Sequence, residues 1–333
     1  MTPEIALTGY ACRLPGAHNA AAFWQLLRGQ RSAISEVPPE RWDAARFLHP
    51  GKALPGTAYT MAAGLLSDIW DFDPGFFGIS RREAEQMDPQ QRKLLEVVWD
   101  AIEHARLSPA TLAEARVGVF VGAASMDHSL VSVADPALVG SNFMTGNTLS
   151  ILSNRISYAL DLKGPSYTVD TACSSSFFAL HQAAEALRRG DIDTAIVGGV
   201  NLILSPYHFI GFSRAAMLSP DGLCKAFDAS ANGYVRGEGA VAVVLRRRDA
   251  MGDHERPRSE LVATGVNSDG RTIGLSMPSQ TDQAVLLAEV YGALGLEPDQ
   301  MAYVEAHGTG THVGDPIEAR AIGEVIGQGR AEP

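Results

Sequence analysis

The stretch GPSYTVDTACSSSFFALHQAAEALRRGDIDTAIVGG, residues 164–199, contains the pattern that decides the fold. It predicts a short strand, a turn that carries Cys173, a helix, and then the apolar strand Thr194 to Val197. Arg188 and Arg189 in the last turn and Gly190 as a cap predict where the helix ends. The alternation of strands and helices predicts a layered α/β fold. One face of the predicted helix is apolar and comprises Phe177, Leu180, Ala184 and Leu187.

Cys173 lies at the predicted beginning of this helix, where unpaired N–H groups and the positive end of the helix dipole favour an anion. A thiolate there would be a reactive nucleophile, and its backbone N–H could face an oxyanion. The alternative is a buried cysteine that packs as a small hydrophobic residue, which is common in proteins. The turn alone leaves both interpretations open. Small neighbours leave room for a substrate: Ala172, Ser174, Ser175 and Ser176.

Outward from this stretch, the first part of the chain predicts further strands and helices. Glu4 to Thr8 predicts a strand that enters a turn at Gly9. DPQQRKLLEVVWDAIEHA predicts a helix that Pro89 begins. Pro38 to Gly64 lacks periodicity and is predicted to be an ordered excursion with little regular structure. Its predicted anchors are Trp42, Phe47 and Tyr59.

The second part of the chain repeats the alternation of the first. Leu261 to Gly265 and Ala302 to Glu305 predict strands on either side of a helix from Asp282 to Leu294. Pro257 and its charged neighbours indicate a border between the two parts. We therefore expect an N-terminal half over residues 1–256 and the start of a C-terminal half over residues 257–333.

His307 is the second candidate for chemistry. It lies in the glycine-rich segment AHGTGTHVGDPIEA, after a predicted strand, and ligands gather at the carboxyl ends of strands in α/β sheets. Asp315 and Glu318 are predicted to orient the His307 turn or to begin a helix. A structural histidine is the alternative. The other histidines are assigned to surface, structural, helix or loop positions: His18, His49, His104, His128, His181, His208, His254 and His312.

Several classes of function do not fit the sequence. The formal net charge of -11 argues against binding to nucleic acid, whose phosphates require clustered Lys and Arg. Gly308, Gly310 and Gly314 miss the spacing of a dinucleotide-binding loop, and no sequence typical of a metal site occurs. The chain also lacks an apolar run that could span a membrane and a signal-peptide pattern at its start. Three separated cysteines favour a reducing, cytoplasmic setting.

Six longer segments carry a family resemblance: ACRLPG, FFGISRREAEQMDPQQRKLLEVVWDAIE, GPSYTVDTACSSS, IVGGVNLILSP, MLSPDGLCKAFDASANGYVRGEG and YVEAHGTGTHVGDPIEA. With these segments the chain resembles the beta-ketoacyl synthase (ketosynthase) domain of type I polyketide synthases and animal-type fatty acid synthases. The resemblance implies a thiolase-like fold, in which two similar α/β halves form five layers, α-β-α-β-α. It also implies a homodimer with adjacent synthase domains.

The same resemblance implies the chemistry. Cys173 would take an acyl chain as a thioester, and a malonyl-type extender on an acyl carrier protein would lose carbon dioxide and attack it. His307 matches the family's first catalytic histidine. The domain itself would need no cofactor, because the substrates are carried on the phosphopantetheine arm of the carrier protein.

The chain departs from the family pattern after His307. The family continues with a Lys-x-Asn-Ile-Gly-His segment and a Gly-Phe-Gly-Gly loop, and neither occurs before Pro333. We therefore expect a truncated domain with an incomplete second half. A scaffold that dimerises and binds acyl carrier protein without condensation is one alternative, and a cysteine hydrolase is another.

Overall fold

A computed structural model of the chain describes residues 4–252, 255–295 and 298–328. The strands are β1 (Ile5–Arg13), β2 (Ile34–Glu36), β3 (Ala62–Gly64), β4 (Val117–Gly122), β5 (Ser166–Val169), β6 (Thr194–Asn201), β7 (Arg236–Gly237), β8 (Gly239–Arg247) and β9 (Ser259–Leu261). The α-helices are α1 (Ala20–Arg28), α2 (Arg81–Gln86), α3 (Pro89–His104), α4 (Pro109–Glu114), α5 (Asp127–Ser132), α6 (Phe143–Asn147), α7 (Ser150–Ala159), α8 (Ser175–Arg189), α9 (Tyr207–Arg214), α10 (Gln280–Gly292) and α11 (Gly314–Ile322). Short 3-10 turns and one π-helical turn, Gly323–Gly327, complete the regular structure of these residues.

The chain forms two compact units, and each consists of separate segments. The first unit contains the described residues of Met1–Ser35, Gly64–Ser205 and Gly237–Leu261. The second contains Glu36–Ala63, Pro206–Arg236 and the described residues of Val262–Pro333. The division at residues 256 and 257 that the sequence suggests stays a prediction.

A six-stranded mixed sheet forms the centre of the first unit, in the order β5-β4-β6-β8-β1-β9. Strand β4 is parallel to both β5 and β6, whereas β8 is antiparallel to β6 and β1. Because β4, β5 and β6 run in one direction, their carboxyl ends meet at one edge of the sheet. The segment that carries Cys173 follows β5 at this edge. Strands β2, β3 and β7 pair in a separate three-stranded sheet.

Two apolar cores cover the two faces of the six-stranded sheet. Val119 and Ile196 face a core with residues of α3 and α7, whereas Phe120 and Val197 face a core with residues of α8. Neighbouring residues of one strand point to opposite faces, so strands covered on both faces are apolar at nearly every position. Helices therefore pack on each face of the sheet. This arrangement confirms the α/β class that the 164–199 pattern predicts.

The predicted turn at Gly9 is wrong. Strand β1 continues through Gly9 to Arg13, with an irregular register between Leu7 and Gly9. A side chain at Gly9 would place its Cβ 2.3 Å from the Ala101 carbonyl oxygen in α3. Glycine is needed there because the backbone of a helix lies close to the strand. A local sequence pattern cannot distinguish a glycine of this kind from a glycine in a turn.

Helices α3 and α8 confirm the sequence predictions. Asp88 lies just before α3, and its carboxylate accepts a hydrogen bond from the Gln90 N–H in the first turn. Pro89 occupies this first turn as predicted. Helix α8 ends at Gly190, whose φ of 74° is left-handed, and its last turn carries both predicted arginines. Among the described residues, no helix combines the length and apolar character that crossing a bilayer requires.

The second unit contains the excursion that the sequence predicts between Pro38 and Gly64, except for Gly64 itself. Two of its predicted aromatic anchors are confirmed. The Trp42 ring lies 6.1 Å from the Phe209 ring. The Tyr59 hydroxyl donates a hydrogen bond of 2.7 Å to the Leu218 carbonyl oxygen. These contacts hold a segment of little regular structure against α9 and the residues that follow it.

The strands predicted in the second part of the chain do not form. Only Leu261 of the first predicted strand lies in β9, and residues 262–270 and 301–311 have no regular secondary structure. A strand requires a neighbour that pairs with its backbone, and no ladder to these two segments exists among the described residues. The segments are not fully buried, and two of their large apolar side chains, Val262 and Tyr303, are 68% and 78% exposed. The predicted helix is confirmed as α10, with bounds shifted by two residues.

Candidate active site

Cys173 lies where the sequence places it, in a turn between β5 and α8. Residues Ala172–Ser174 form a short 3-10 turn that leads directly into α8. The cysteine side chain is exposed and forms no disulfide. Because the first N–H groups of a helix have no acceptor within it, the position combines an accessible sulfur with backbone donors. The alternative of a cysteine packed as a buried hydrophobic residue is therefore wrong for Cys173.

The backbone of this turn is constrained at Ala172. Its φ of 54° lies in the left-handed region, which costs a non-glycine residue about 1–2 kcal/mol. The Asp170 carboxylate accepts the Ala172 N–H at 2.9 Å, and the Ser175 hydroxyl contacts the turn on both sides of Ala172. Side-chain hydrogen bonds thus stabilise a conformation that the sequence alone did not indicate.

Two glycines allow the beginning of α8 to lie directly on the sheet. Gly122 in β4 and Gly199 in β6 are paired in register. A Cβ at Gly122 would lie 2.3 Å from the Ser176 nitrogen, and one at Gly199 would lie 3.1 Å from the Ser176 Cβ. The first turn of α8 therefore contacts bare strand backbone, which fixes the distance of Cys173 from the sheet.

His307 lies in the second unit, in an irregular segment before α11. Its side chain is exposed, and its backbone is held by Glu318 of that helix. The Glu318 carboxylate accepts the His307 N–H at 2.6 Å and the Gly308 N–H at 2.8 Å. The prediction that Glu318 orients the His307 turn is confirmed. The predicted strand before it is absent, so the helix and not a sheet edge positions this histidine.

Asp315 holds the other end of the same segment. One oxygen of this buried carboxylate accepts the Gly310 N–H at 2.9 Å, and the other accepts the Phe227 N–H at 2.5 Å. Gly308 and Gly310 both have left-handed φ values, 52° and 66°, which glycine adopts without steric cost. The glycine-rich pattern therefore serves a backbone conformation.

Cys224 contacts this segment and is the other exposed cysteine. Its Sγ donates a hydrogen bond of 3.5 Å to the Gly308 carbonyl oxygen. Partial burial of the sulfur raises the pKa of the Cys224 thiol, and the nearby Asp315 carboxylate raises it further. The residue as a whole is nevertheless exposed. A raised pKa lowers the thiolate fraction at neutral pH. We therefore expect the Cys224 thiol to react more slowly than a thiol of ordinary pKa, and we use it as a reference for Cys173.

Glu318→Ala is expected to loosen the His307 turn without unfolding the chain. The change removes a charged acceptor of two backbone N–H groups, each such bond being worth about 1.5–3 kcal/mol. Amide hydrogen exchange at His307 and Gly308 should become at least about tenfold faster, since tenfold corresponds to about 1.4 kcal/mol. Exposed Glu289 in α10 supplies the matched control, and Glu289→Ala should leave these amides unchanged. Equal protection in the two variants would contradict the role of Glu318.

The remaining histidines include structural ones. His104 contacts the backbone of Tyr10 and packs edge-on against its ring at 4.4 Å. The His128 Nδ1 lies 2.6 Å from the Asn147 Oδ1. His254 lies outside the described residues. The sequence indicated the role of Glu318. It did not indicate that Ser175 and Gly122 support the Cys173 turn, because only the folded structure shows what they contact.

Family models match nearly the whole chain. Residues 2–250 match the beta-ketoacyl synthase N-terminal domain, and residues 258–333 match the beta-ketoacyl synthase C-terminal domain. A phenolphthiocerol/phthiocerol polyketide synthase of Mycobacterium tuberculosis is 48% identical over 98% of this chain. A partially reducing polyketide synthase of Menisporopsis theobromae is 47% identical over 98% of it. The chain spans only 18% and 13% of the lengths of these two relatives.

Solved structures show the same similarity. The oxazolomycin ketosynthase domain KS7 from Streptomyces albus superposes with a TM-score of 0.93 at 42% identity, over 98% of this chain and 58% of that one. The ketosynthase from module 6 of the bacillaene synthase from Bacillus subtilis 168 gives a TM-score of 0.87 at 41% identity, over 97% of this chain and 54% of that one.

Proposed function

The chain belongs to the beta-ketoacyl synthase family, and on this basis we propose that it condenses an acyl chain held on Cys173 with a malonyl-type extender. The observation that supports the proposal most directly is the exposed thiol of Cys173 in the first turn before α8. The reaction class is acyl transfer with formation of a carbon–carbon bond. The relatives favour polyketide biosynthesis, and fatty acid biosynthesis is the related alternative.

The first proposed step loads the enzyme. The Cys173 thiolate attacks the carbonyl carbon of an acyl thioester, and the carrier's sulfur leaves as a thiolate when the carbon–sulfur bond to it breaks and the new thioester forms. The oxyanion that develops in this step faces the positive end of α8 and the Cys173 N–H. Cys173 thus acts as nucleophile and, through its backbone, as a donor of one stabilising hydrogen bond.

The second proposed step forms the new bond. The malonyl-type extender loses carbon dioxide, and His307 donates a hydrogen bond to its thioester carbonyl as the enolate gains negative charge. The enolate carbon then attacks the Cys173 thioester, so that a carbon–carbon bond forms and the carbon–sulfur bond breaks. The products are a 3-oxoacyl thioester on the carrier, carbon dioxide and the free Cys173 thiolate.

The proposed partners follow from this chemistry. The substrates are acyl and malonyl-type thioesters on the phosphopantetheine arm of an acyl carrier protein, and the domain supplies no cofactor of its own. Adjacent synthase domains fit the multidomain relatives, of which this chain matches a small part. We also propose a cytoplasmic location, which suits the three free thiols of Cys12, Cys173 and Cys224.

We also propose a homodimer, because one end of the six-stranded sheet presents a surface that a second copy of the chain could cover. Among the residues that the structure describes, strand β5 is the last strand there and pairs only with β4. Large side chains beside it are open to solvent, with Tyr158 88%, Tyr167 37% and Phe177 71% exposed. An unpaired strand edge beside exposed aromatic residues is a surface that a second copy of the chain can cover.

The experiment that tests the function supplies an acyl thioester and a malonyl group on carrier protein, and measures carbon dioxide and the 3-oxoacyl carrier by mass spectrometry. His307→Ala is expected to lower carbon dioxide release about 100-fold, the typical cost of one oxyanion donor. Exposed His312 supplies the matched control, and His312→Ala should retain the rate. Carrier binding without transfer by the unchanged protein would instead support the scaffold, and release of free acid would support a hydrolase.

A further inference from the structure

Ser175 is the first residue of α8, two residues after Cys173, and it is buried, with 4% of its surface exposed. Its hydroxyl accepts the Thr171 N–H at 2.9 Å and donates to the Ala172 carbonyl oxygen at 2.6 Å. We propose that Ser175 is a positioning residue for acyl transfer, which fixes the direction of the Cys173 N–H. The inference rests on the proposed function, because that N–H matters only where an oxyanion develops.

The peptide between Ala172 and Cys173 connects the Ser175 hydroxyl with the Cys173 N–H. It is planar and trans, so the Ala172 carbonyl and the Cys173 N–H point in opposite directions. The Ala172 oxygen accepts hydrogen bonds from both the hydroxyl and the backbone N–H of Ser175. Since the carbonyl is held towards the helix, the N–H of Cys173 is directed away from it.

The left-handed conformation of Ala172 makes this support necessary. At a φ of 54° the residue would relax if its neighbours released it, and the relaxation would rotate the peptide that contains the Cys173 N–H. The Ser175 hydroxyl connects the peptide before Thr171 with the peptide after Ala172, so it holds both sides of the strained residue. Asp170 supplies a third contact through the Ala172 N–H.

The adjacent serines contact other groups. Ser174 is exposed, and its hydroxyl donates to the Thr171 carbonyl oxygen at 3.0 Å, which belongs to a different peptide. Ser176 lies against the glycines of β4 and β6. Ser174 is therefore the matched control, because it offers the same hydroxyl in the same turn without contact to the Cys173 peptide.

The test compares two reactions of Cys173 in the same protein. Acyl transfer from an acyl N-acetylcysteamine thioester uses the oxyanion donor, whereas alkylation by iodoacetamide does not. Ser175→Ala is expected to slow acyl transfer at least about tenfold, given that losing a donor entirely costs about 100-fold or more. Alkylation of Cys173, measured against Cys224 in the same digest, should change less than about threefold. Ser175→Thr should restore acyl transfer, and Ser174→Ala should retain it.

Acyl transfer by Ser175→Ala at the unchanged rate would overturn the inference, as would an equal loss in Ser174→Ala. If Ser175→Ala folds poorly by circular dichroism, the comparison moves to Ala172→Gly, because glycine adopts a positive φ freely. Glycine at this position removes the strain but gives the peptide more conformations, so the hydroxyl is still needed to hold it. Adding Ser175→Ala to that variant should still slow acyl transfer, and equal rates would refute the role. Failure of the unchanged protein to take any acyl group, with normal alkylation, would reject the proposed function and the inference with it. A loss in Ser175→Ala that Ser175→Thr restores would support the inference.

Discussion

Cys173→Ala is expected to abolish covalent acyl loading of this protein, with a loss of at least about 1,000-fold in rate. The thiol is the only atom of the turn that can form the thioester, and no neighbouring serine hydroxyl matches a thiolate as a nucleophile at neutral pH. The measurement is the intact protein mass after exposure to an acyl N-acetylcysteamine thioester. The unchanged protein should gain one acyl group, and Cys173→Ala should gain none.

Cys224→Ala is the matched control for this result. Both cysteines are exposed, but the environment of Cys224 raises the pKa of its thiol. Its removal should therefore leave the acyl adduct intact. An adduct that persists in Cys173→Ala and disappears in Cys224→Ala would show that Cys224 is the nucleophile, and it would contradict our proposal. No adduct in any of the three chains, shown folded by circular dichroism, would favour a scaffold.

Gly122→Ala is expected to lower the free energy of unfolding by about 3 kcal/mol, the upper end of the usual cost of overpacking a core. The added Cβ would lie 2.3 Å from the Ser176 nitrogen and 2.4 Å from the Ser175 carbonyl carbon. These are backbone atoms at the beginning of a helix, which cannot rotate away as a flexible side chain can. Denaturant unfolding measures the loss, and the rate of acyl loading should fall with it because the first turn of α8 must move.

Gly237→Ala supplies the control in the same unit. Nothing lies within 4 Å of the Cβ that this change would add to β7. Its stability should therefore stay within about 0.5 kcal/mol, as for ordinary surface substitutions. Similar stability of Gly122→Ala and Gly237→Ala would mean that α8 does not lie against β4 as closely as the structure has it.

The sequence predicts the parts of the fold whose structure depends on residues that are close together in the chain. The stretch around Cys173 predicts its strands and its helix, because periodicity and capping residues act over a few residues. The exposed position of the cysteine is one of two interpretations that the turn leaves open, and the structure decides between them. The α/β, thiolase-like fold class is confirmed by the structural neighbours and the helix-covered sheet. The catalytic roles of Cys173 and His307 stay predictions.

The errors occur where distant residues decide the outcome. Gly9 is a contact with α3 and not a turn, and the apolar segments after Leu261 and before His307 lack a paired neighbour among the described residues. Periodicity describes the side chains of a segment but not the partner that its backbone requires. The contacts of the Ser175 hydroxyl could not be predicted for the same reason. The sequence does not distinguish Ser174, Ser175 and Ser176, and only the folded turn places the hydroxyl of Ser175 between two peptides.

The constraint at Ala172 has a consequence for the thermodynamics of the proposed reaction. A turn that is already held in its strained conformation loses little freedom when substrate arrives, so the entropy of activation comes mainly from the acyl chain and its carrier. The protein supplies this order in advance, during folding. The turn that carries the proposed nucleophile is therefore preorganised, and we expect loading to require no rearrangement of it.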